Sequence, residues 1–183
     1  MTIECWLNEV EITAFRLLSA DAPYPPDDPF ASDGGRFCDA SIPTLYVAEQ
    51  PETAVAEYLR WNPELIGLQD VLSLRLFRFT AKINAEEYDL MTAGCGDPFD
   101  VPVSWPNPEH ADPSVRYRDT RTLARWVFGD QNGAAIRFRS AARPAADSPN
   151  HVLFADRWER TSDIEEVERP FVDGSDIVPL QAS

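Results

Sequence analysis

Two glycines and an arginine, Gly34-Gly35-Arg36, open the part of this chain whose residue types could do chemistry. Paired glycines let a backbone approach a ligand closely, and the guanidinium fork that follows suits a carboxylate or a phosphate. Tyr46 comes next, in the apolar run "PTLYVAE", and then Glu57, in "PETAVAEYLRW". Ala54, Tyr58 and Trp61 fall near Glu57 on a helical projection, so its carboxylate can point inward, and a partly buried Glu is normally paired or functional. Each residue also has an ordinary reading. Gly-Gly-Arg can be a plain loop, Tyr46 a core-edge tyrosine, and Glu57 a solvated helix residue. Arg16 in "FRLL", Ser140 after "AAIRFR" and Asn150 before "HVLF" carry no weight singly, and Asn150 reads as a turn residue.

The elements that must position these residues can be read from pattern. Residues 11–18 form a short β-rich run, and residues 21–30 hold four prolines and read as a loop. Residues 43–49 predict a buried strand. Residues 51–61 predict a helix, with Pro51 suited to its first turn, Glu52 to the positive end of its dipole, and Pro63 to its end. Residues 71–83 are the clearest strand. Residues 92–113 are too rich in Pro and Gly for regular structure. Residues 115–130 predict a second helix, with Leu123, Ala124, Val127 and Phe128 on one face. Residues 133–140 and 150–156 predict two more strands, and the tail from Thr161 is acidic and weakly patterned. The order β, β, α, β, α, β, β indicates a single α+β domain better than a regular βαβ wind.

Composition narrows the function. The chain has 183 residues, 44% of them apolar, enough for one domain with a core of its own. Its formal net charge of -15 argues against direct nucleic-acid binding and against an anionic membrane surface. One Lys stands against fifteen Arg; a GC-rich genome accounts for such a bias, and it leaves room for individual Arg residues in a site. Three Cys without a spacing pattern argue against a disulfide framework, and two isolated His argue against a metal site. No run of about 18 apolar residues and no signal-like amino terminus are present, so the expected location is cytoplasmic.

In order, Arg16, Gly34-Gly35-Arg36, Tyr46, Glu57, Ser140 and Asn150 resemble the RES-domain family, named for its Arg, Glu and Ser. Its best-known members are toxins of bacterial Xre–RES toxin–antitoxin pairs. The stretches "FRLL", "GGRF", "PTLYVAEQPETAVAEYL", "TRTLARWVF", "AIRFRSAA" and "NHVLF" follow the family's order from Phe15 to Phe154. The chain departs from the pattern at Phe37-Cys38, where the family often has Trp-Asn, and at Phe15, where Tyr is common. Residues 92–113 and the tail also look longer than in compact members.

The resemblance implies a RES domain over residues 11–156, with residues 157–183 an acidic C-terminal extension packing on it or trailing from it. It implies a mixed sheet around an NAD cleft, flanked by helices and similar to ADP-ribosyltransferase toxins. It makes NAD⁺ a substrate, with no prosthetic group and no metal. Glu57, Tyr46, Ser140 and Arg36 take the catalytic positions. Arg16, Arg36, Tyr46, Gly35 and Asn150 take the NAD-binding ones. Such residue types suit cleavage of the nicotinamide–ribose bond, which passes through an oxocarbenium-like state that a carboxylate stabilises. Arg16, Arg36 and the Gly34-Gly35 turn suit the pyrophosphate, and Tyr46 the nicotinamide ring. Ser140 and Asn150 suit a phosphate or ribose oxygen. The resemblance also implies an Xre-like antitoxin partner that makes any DNA contact, and it leaves homo-oligomer formation open. Three readings follow: NAD⁺ degradation by water or phosphate, ADP-ribosyl transfer to a protein, and a non-catalytic binding module.

Overall fold

Apolar side chains alternate along the central strands so that both faces of the sheet are buried there. Tyr46, Ile136, Phe138, Val152 and Phe154 face one cluster, while Leu45, Val47, Ala135 and Leu153 face another. The computed structural model describes residues 4–29, 35–37, 41–71, 73–101, 117–145 and 148–178. Gly34, Cys38, His110 and most of the expected connection over 92–113 lie outside them.

Nine strands of the described residues form one mixed sheet: β1 (Trp6–Leu7), β2 (Glu11–Ser19), β3 (Thr44–Ala48), β4 (Leu74–Ile83), β5 (Glu87–Asp89), β6 (Ala135–Arg139), β7 (Pro149–Phe154), β8 (Trp158–Arg160) and β9 (Glu165–Val167). The spatial order is β1-β5-β6-β7-β3-β2-β4-β8, with β9 also pairing β4. Only β5 and β6 run parallel; every other pairing is antiparallel. Helix α1 (Pro51–Trp61) follows β3, and helix α2 (Arg118–Arg125) precedes β6. The α+β architecture expected from element order is the one found.

Two helical details differ from expectation. Pro63 does end α1, yet it also starts a 3-10 segment, Pro63–Val71, so β4 begins only at Leu74. Proline lacks the N–H an α-helix needs, while its φ suits a helical start. The second helix keeps α geometry for one stretch and then widens into a π turn, Trp126–Asp130.

The short strands β1, β5, β8 and β9 were not legible in the pattern. The three-residue strand β9 carries two Glu because it pairs along a solvent-facing part of β4, with Glu165 and Glu166 opposite Arg78 and Phe77. Ion pairs Arg78–Glu165, Arg75–Glu166 and Lys82–Glu159 run along that edge, all about half exposed. Pairs so wet contribute little each. Beyond β9 the chain is anchored by burial: Val172 and Ile177 join the cluster beneath α1. Gln69 exchanges hydrogen bonds with the Val172 backbone at 2.8 and 3.1 Å.

The cysteine expectation is corrected. Cys5 and Cys95 form a disulfide. The pair is 90 residues apart, so no spacing announces it. It closes because β1 pairs with β5 and the Asp89 N–H donates to the Cys5 carbonyl at 2.8 Å.

Candidate active site

The sheet nearly parts between β2 and β3. Strands β2 and β4 share nine registered pairs, and β3 and β7 share five, but β2 and β3 meet only at Phe15 and Ala48. The divergence opens a cleft of ≈ 460 Å³, within the usual range for small-molecule sites. Helix α1 lies along it and contributes Ala54, Glu57, Tyr58 and Trp61, one face at helical spacing. Arg16, Gly35, Arg36, Tyr46 and Asn150 also line it. The sequence-predicted residues therefore converge, apart from Gly34 outside the described residues and Ser140, which is buried behind the lining.

Glu57 is the centre of the arrangement. Its Oε1 accepts from Ser140 Oγ at 2.8 Å, Asn150 Nδ2 at 2.8 Å, and the backbone N–H groups of Ala141 at 3.0 Å and Ala142 at 3.4 Å. All four donors go to one oxygen, and Glu57 itself lines the cleft. Strand order explains the convergence. β6 ends at Arg139, and residues 140–142 turn under α1. β7 runs back antiparallel with Asn150 opposite Phe138. A bond from Thr53 Oγ1 to Ser148 Oγ, 3.1 Å, ties α1 to the same place. Ser140 and Asn150 are thus engaged with the carboxylate, where the sequence reading gave them to a substrate oxygen. Ser140 Oγ also accepts from the Arg143 N–H at 3.1 Å.

Tyr46 projects from β3 beside Phe138, ring edge to ring face at 6.4 Å. Its hydroxyl accepts from the Phe37 N–H at 2.7 Å. The Arg36 guanidinium lies 5.4 Å from the centre of the Phe138 ring. Arg16 is 8% exposed, and burial pulls its pKa below the usual guanidinium value, with Tyr24, Asp28 and Asp27 acting in the opposite sense. Its Nη1 donates to the carbonyls of Pro26 at 2.8 Å and Asp28 at 3.2 Å, so the proline-rich loop 21–29 folds over it. Among the described residues the lining carries two Arg and one Glu as charged groups, in a chain of net charge -15.

Several contributors were given no task from the sequence. Tyr24 and Trp61 stand at the cleft partly exposed, at 40% and 48%. Thr120 and Arg121 of α2 hold residues 35 and 36 from behind. "TRTLARWVF" marked the segment but assigned no task to it. His151, read as an isolated His, is fully buried between two carboxylates: Glu87 Oε1 at 2.6 Å from Nδ1 and Glu49 Oε1 at 2.7 Å from Nε2. Burial alone would lower its pKa. The hydrogen bonds to Glu49 and Glu87 outweigh that and push it up to about 8. The same contact holds the Glu49 carboxyl below its ordinary value.

Comparison with known proteins bears on the family and the fold. The profile of the family described as "RES domain" matches residues 12–173. Among solved structures, the fold is similar to a chain of the "M.tuberculosis MbcT-MbcA toxin-antitoxin complex". The TM-score is 0.55 and the identity 13%, over 91% of this chain and 87% of the other. No curated protein matches the chain.

Proposed function

This chain belongs to the RES-domain family, and from that premise we propose that it degrades NAD⁺ by cleaving the nicotinamide–ribose bond. One observation carries the reading: four donors converge on Oε1 of Glu57, and Glu57 lines a cleft together with two arginines. A carboxylate fixed in this way is preorganised for positive charge, and preorganised charge needs no rearrangement as the reaction proceeds. Departure of nicotinamide leaves that charge on the ribose. The Arg36 and Arg16 guanidiniums hold the pyrophosphate, with Arg16 exchanging the carbonyls of Pro26 and Asp28 for phosphate oxygens. The Tyr46 ring packs the nicotinamide, and the faces of Tyr24 and Trp61 suit the second base. Ser140 and Asn150 act through Glu57 as positioning residues.

Water as acceptor yields ADP-ribose, nicotinamide and a proton. Phosphate as acceptor yields ADP-ribose phosphorylated at the anomeric carbon, together with nicotinamide. The biological role we assign is that of a toxin restrained by an antitoxin. The structural neighbour comes from a toxin–antitoxin complex, and uncontrolled NAD⁺ loss stops metabolism. The chain's acidic surface suits a partner with a basic patch, such as an Xre-like DNA-binding protein.

The test is to incubate purified protein with NAD⁺, with and without phosphate and with a mixture of host proteins, and to identify the products. Free nicotinamide with ADP-ribose or its phosphate is the expected result. ADP-ribose recovered only on protein would replace this reading with transfer to a protein, and intact NAD⁺ throughout would leave the binding module. In parallel, inducing the gene alone in a bacterium lowers cellular NAD⁺ and arrests growth. Normal growth with abundant folded protein would reject the toxin role.

A further inference from the structure

Residues 35–37 form neither helix nor strand, yet they carry Arg36 to the cleft along one defined path. We propose that Thr120 and Arg121 of α2 are positioning residues that set the affinity for the substrate's diphosphate through Arg36, an inference that rests on the NAD⁺ reading of the cleft. Thr120 Oγ1 donates to the Arg36 carbonyl at 2.6 Å. Arg121 donates to the Gly35 carbonyl from both Nε and Nη2, each at 3.3 Å. Thr120 is fully buried and Arg121 9% exposed, and neither lines the cleft.

The geometry acts on the backbone from two sides. Two successive carbonyls turn toward α2. In a trans peptide the N–H after each carbonyl points the opposite way. The N–H that follows the Arg36 carbonyl belongs to Phe37, and it donates to Tyr46 Oη at 2.7 Å on β3. The segment is therefore stretched between a helix and a strand. The Leu123 and Ala124 side of α2 sinks into the cluster containing Ile136 and Phe138, so the helix is itself fixed to the sheet. Arg36 then lies against Phe138 from that same cluster. An arginine at position 121 sends two N–H groups of one rigid fork to a single carbonyl, which a lysine does not reproduce. Misplacing a binding group by about 1 Å can cost on the order of 100-fold.

A role confined to folding and a role through Arg36 predict different couplings. The experiment is a double-mutant cycle of Arg121→Gln and Arg36→Ala in the full chain, read as KM and kcat for NAD⁺, dissociation constant for ADP-ribose, and melting temperature. Arg121→Gln alone is expected to raise KM and the ADP-ribose constant roughly 10- to 100-fold with kcat within a few-fold. It should add little once Arg36 is alanine. Full multiplication of the two effects would overturn the proposal. If Arg121→Gln does not fold, Thr120→Ser against Thr120→Val gives the same contrast: the hydroxyl donor is retained in the first and lost in the second, and equal ADP-ribose affinity in both overturns the idea. A parent protein that binds ADP-ribose without cleaving NAD⁺ removes the enzymatic reading alone. The cycle then runs on binding, and unchanged affinity in Arg121→Gln overturns the positioning role.

Discussion

Glu57 owes its orientation to groups that lie far from it in sequence: the hydroxyl of Ser140, two N–H groups of the turn after β6, and the amide of Asn150. Replacing Glu57 with Gln keeps the side chain's size and an oxygen for those donors, and puts a neutral amide in the cleft lining. The expected outcome is a fold that melts within a few degrees of the parent and a rate of NAD⁺ cleavage reduced roughly 100-fold or more, the scale of losing an electrostatic stabiliser. Steady-state kinetics beside a melting curve checks both, and a full rate in the folded variant would remove Glu57 from the mechanism. Ser140→Ala leaves three donors on Oε1 and should cost less than Glu57→Gln. Residue types alone made Ser140 and Asn150 equally good partners for a substrate oxygen. A hydroxyl or amide donor serves any acceptor within reach, and only the folded geometry shows that the acceptor in reach is Glu57.

At the scale of elements, the disulfide and the short strands make the far edge of the sheet. The edge strand β1 and its neighbour β5 are two and three residues long. Trp6, Tyr88 and Trp126 pack as an aromatic group between them and the π turn, with ring centres 4.9 to 5.9 Å apart. The Cys5–Cys95 bond closes a loop of 90 residues around this edge. Chain entropy alone gives a loop of that length about 4.6 kcal/mol, and disulfides typically deliver about 2–4 kcal/mol, mainly by restricting the unfolded chain. Cys5→Ser, or treatment with dithiothreitol, should therefore lower the denaturation midpoint by a corresponding amount, and the cysteine variant should no longer respond to the reductant. An unchanged midpoint on reduction would show that the bond contributes nothing in solution. The C-terminal segment adds a second brace. The Val178 N–H donates to the Ala142 carbonyl at 2.9 Å, in the turn whose N–H groups reach Glu57.

Over the whole molecule, charge is divided unevenly: a net charge of -15 for the chain, two Arg beside one Glu in the cleft lining, and one buried cluster within the sheet. That cluster joins His151 on β7 to Glu49 after β3 and Glu87 on β5, with Arg137 of β6 near Glu49 at 3.8 Å and Asp89 at 3.4 Å. The His151 pKa of about 8 in the folded state exceeds the roughly 6.5 of an unfolded chain. Its contribution is therefore complete below about pH 6.5 and is lost as pH rises through about 8, on the order of 2 kcal/mol. Melting temperature should fall between pH 6.5 and 9, and His151→Gln should flatten that slope. An equal slope in the variant would place the dependence elsewhere.

The long elements were legible because each carries its own signal: β2 and β4 by β-formers, α1 by its proline start and apolar face, and the loop over 21–30 by its prolines. The membership and order of the cleft residues were legible through the motifs they sit in. The disulfide, the four shortest strands, the tie between α2 and residues 35–36, and the His151 cluster were decided only by the tertiary structure. Two or three residues hold too little periodicity to be read, and partners separated by 64 to 102 residues leave no spacing to recognise.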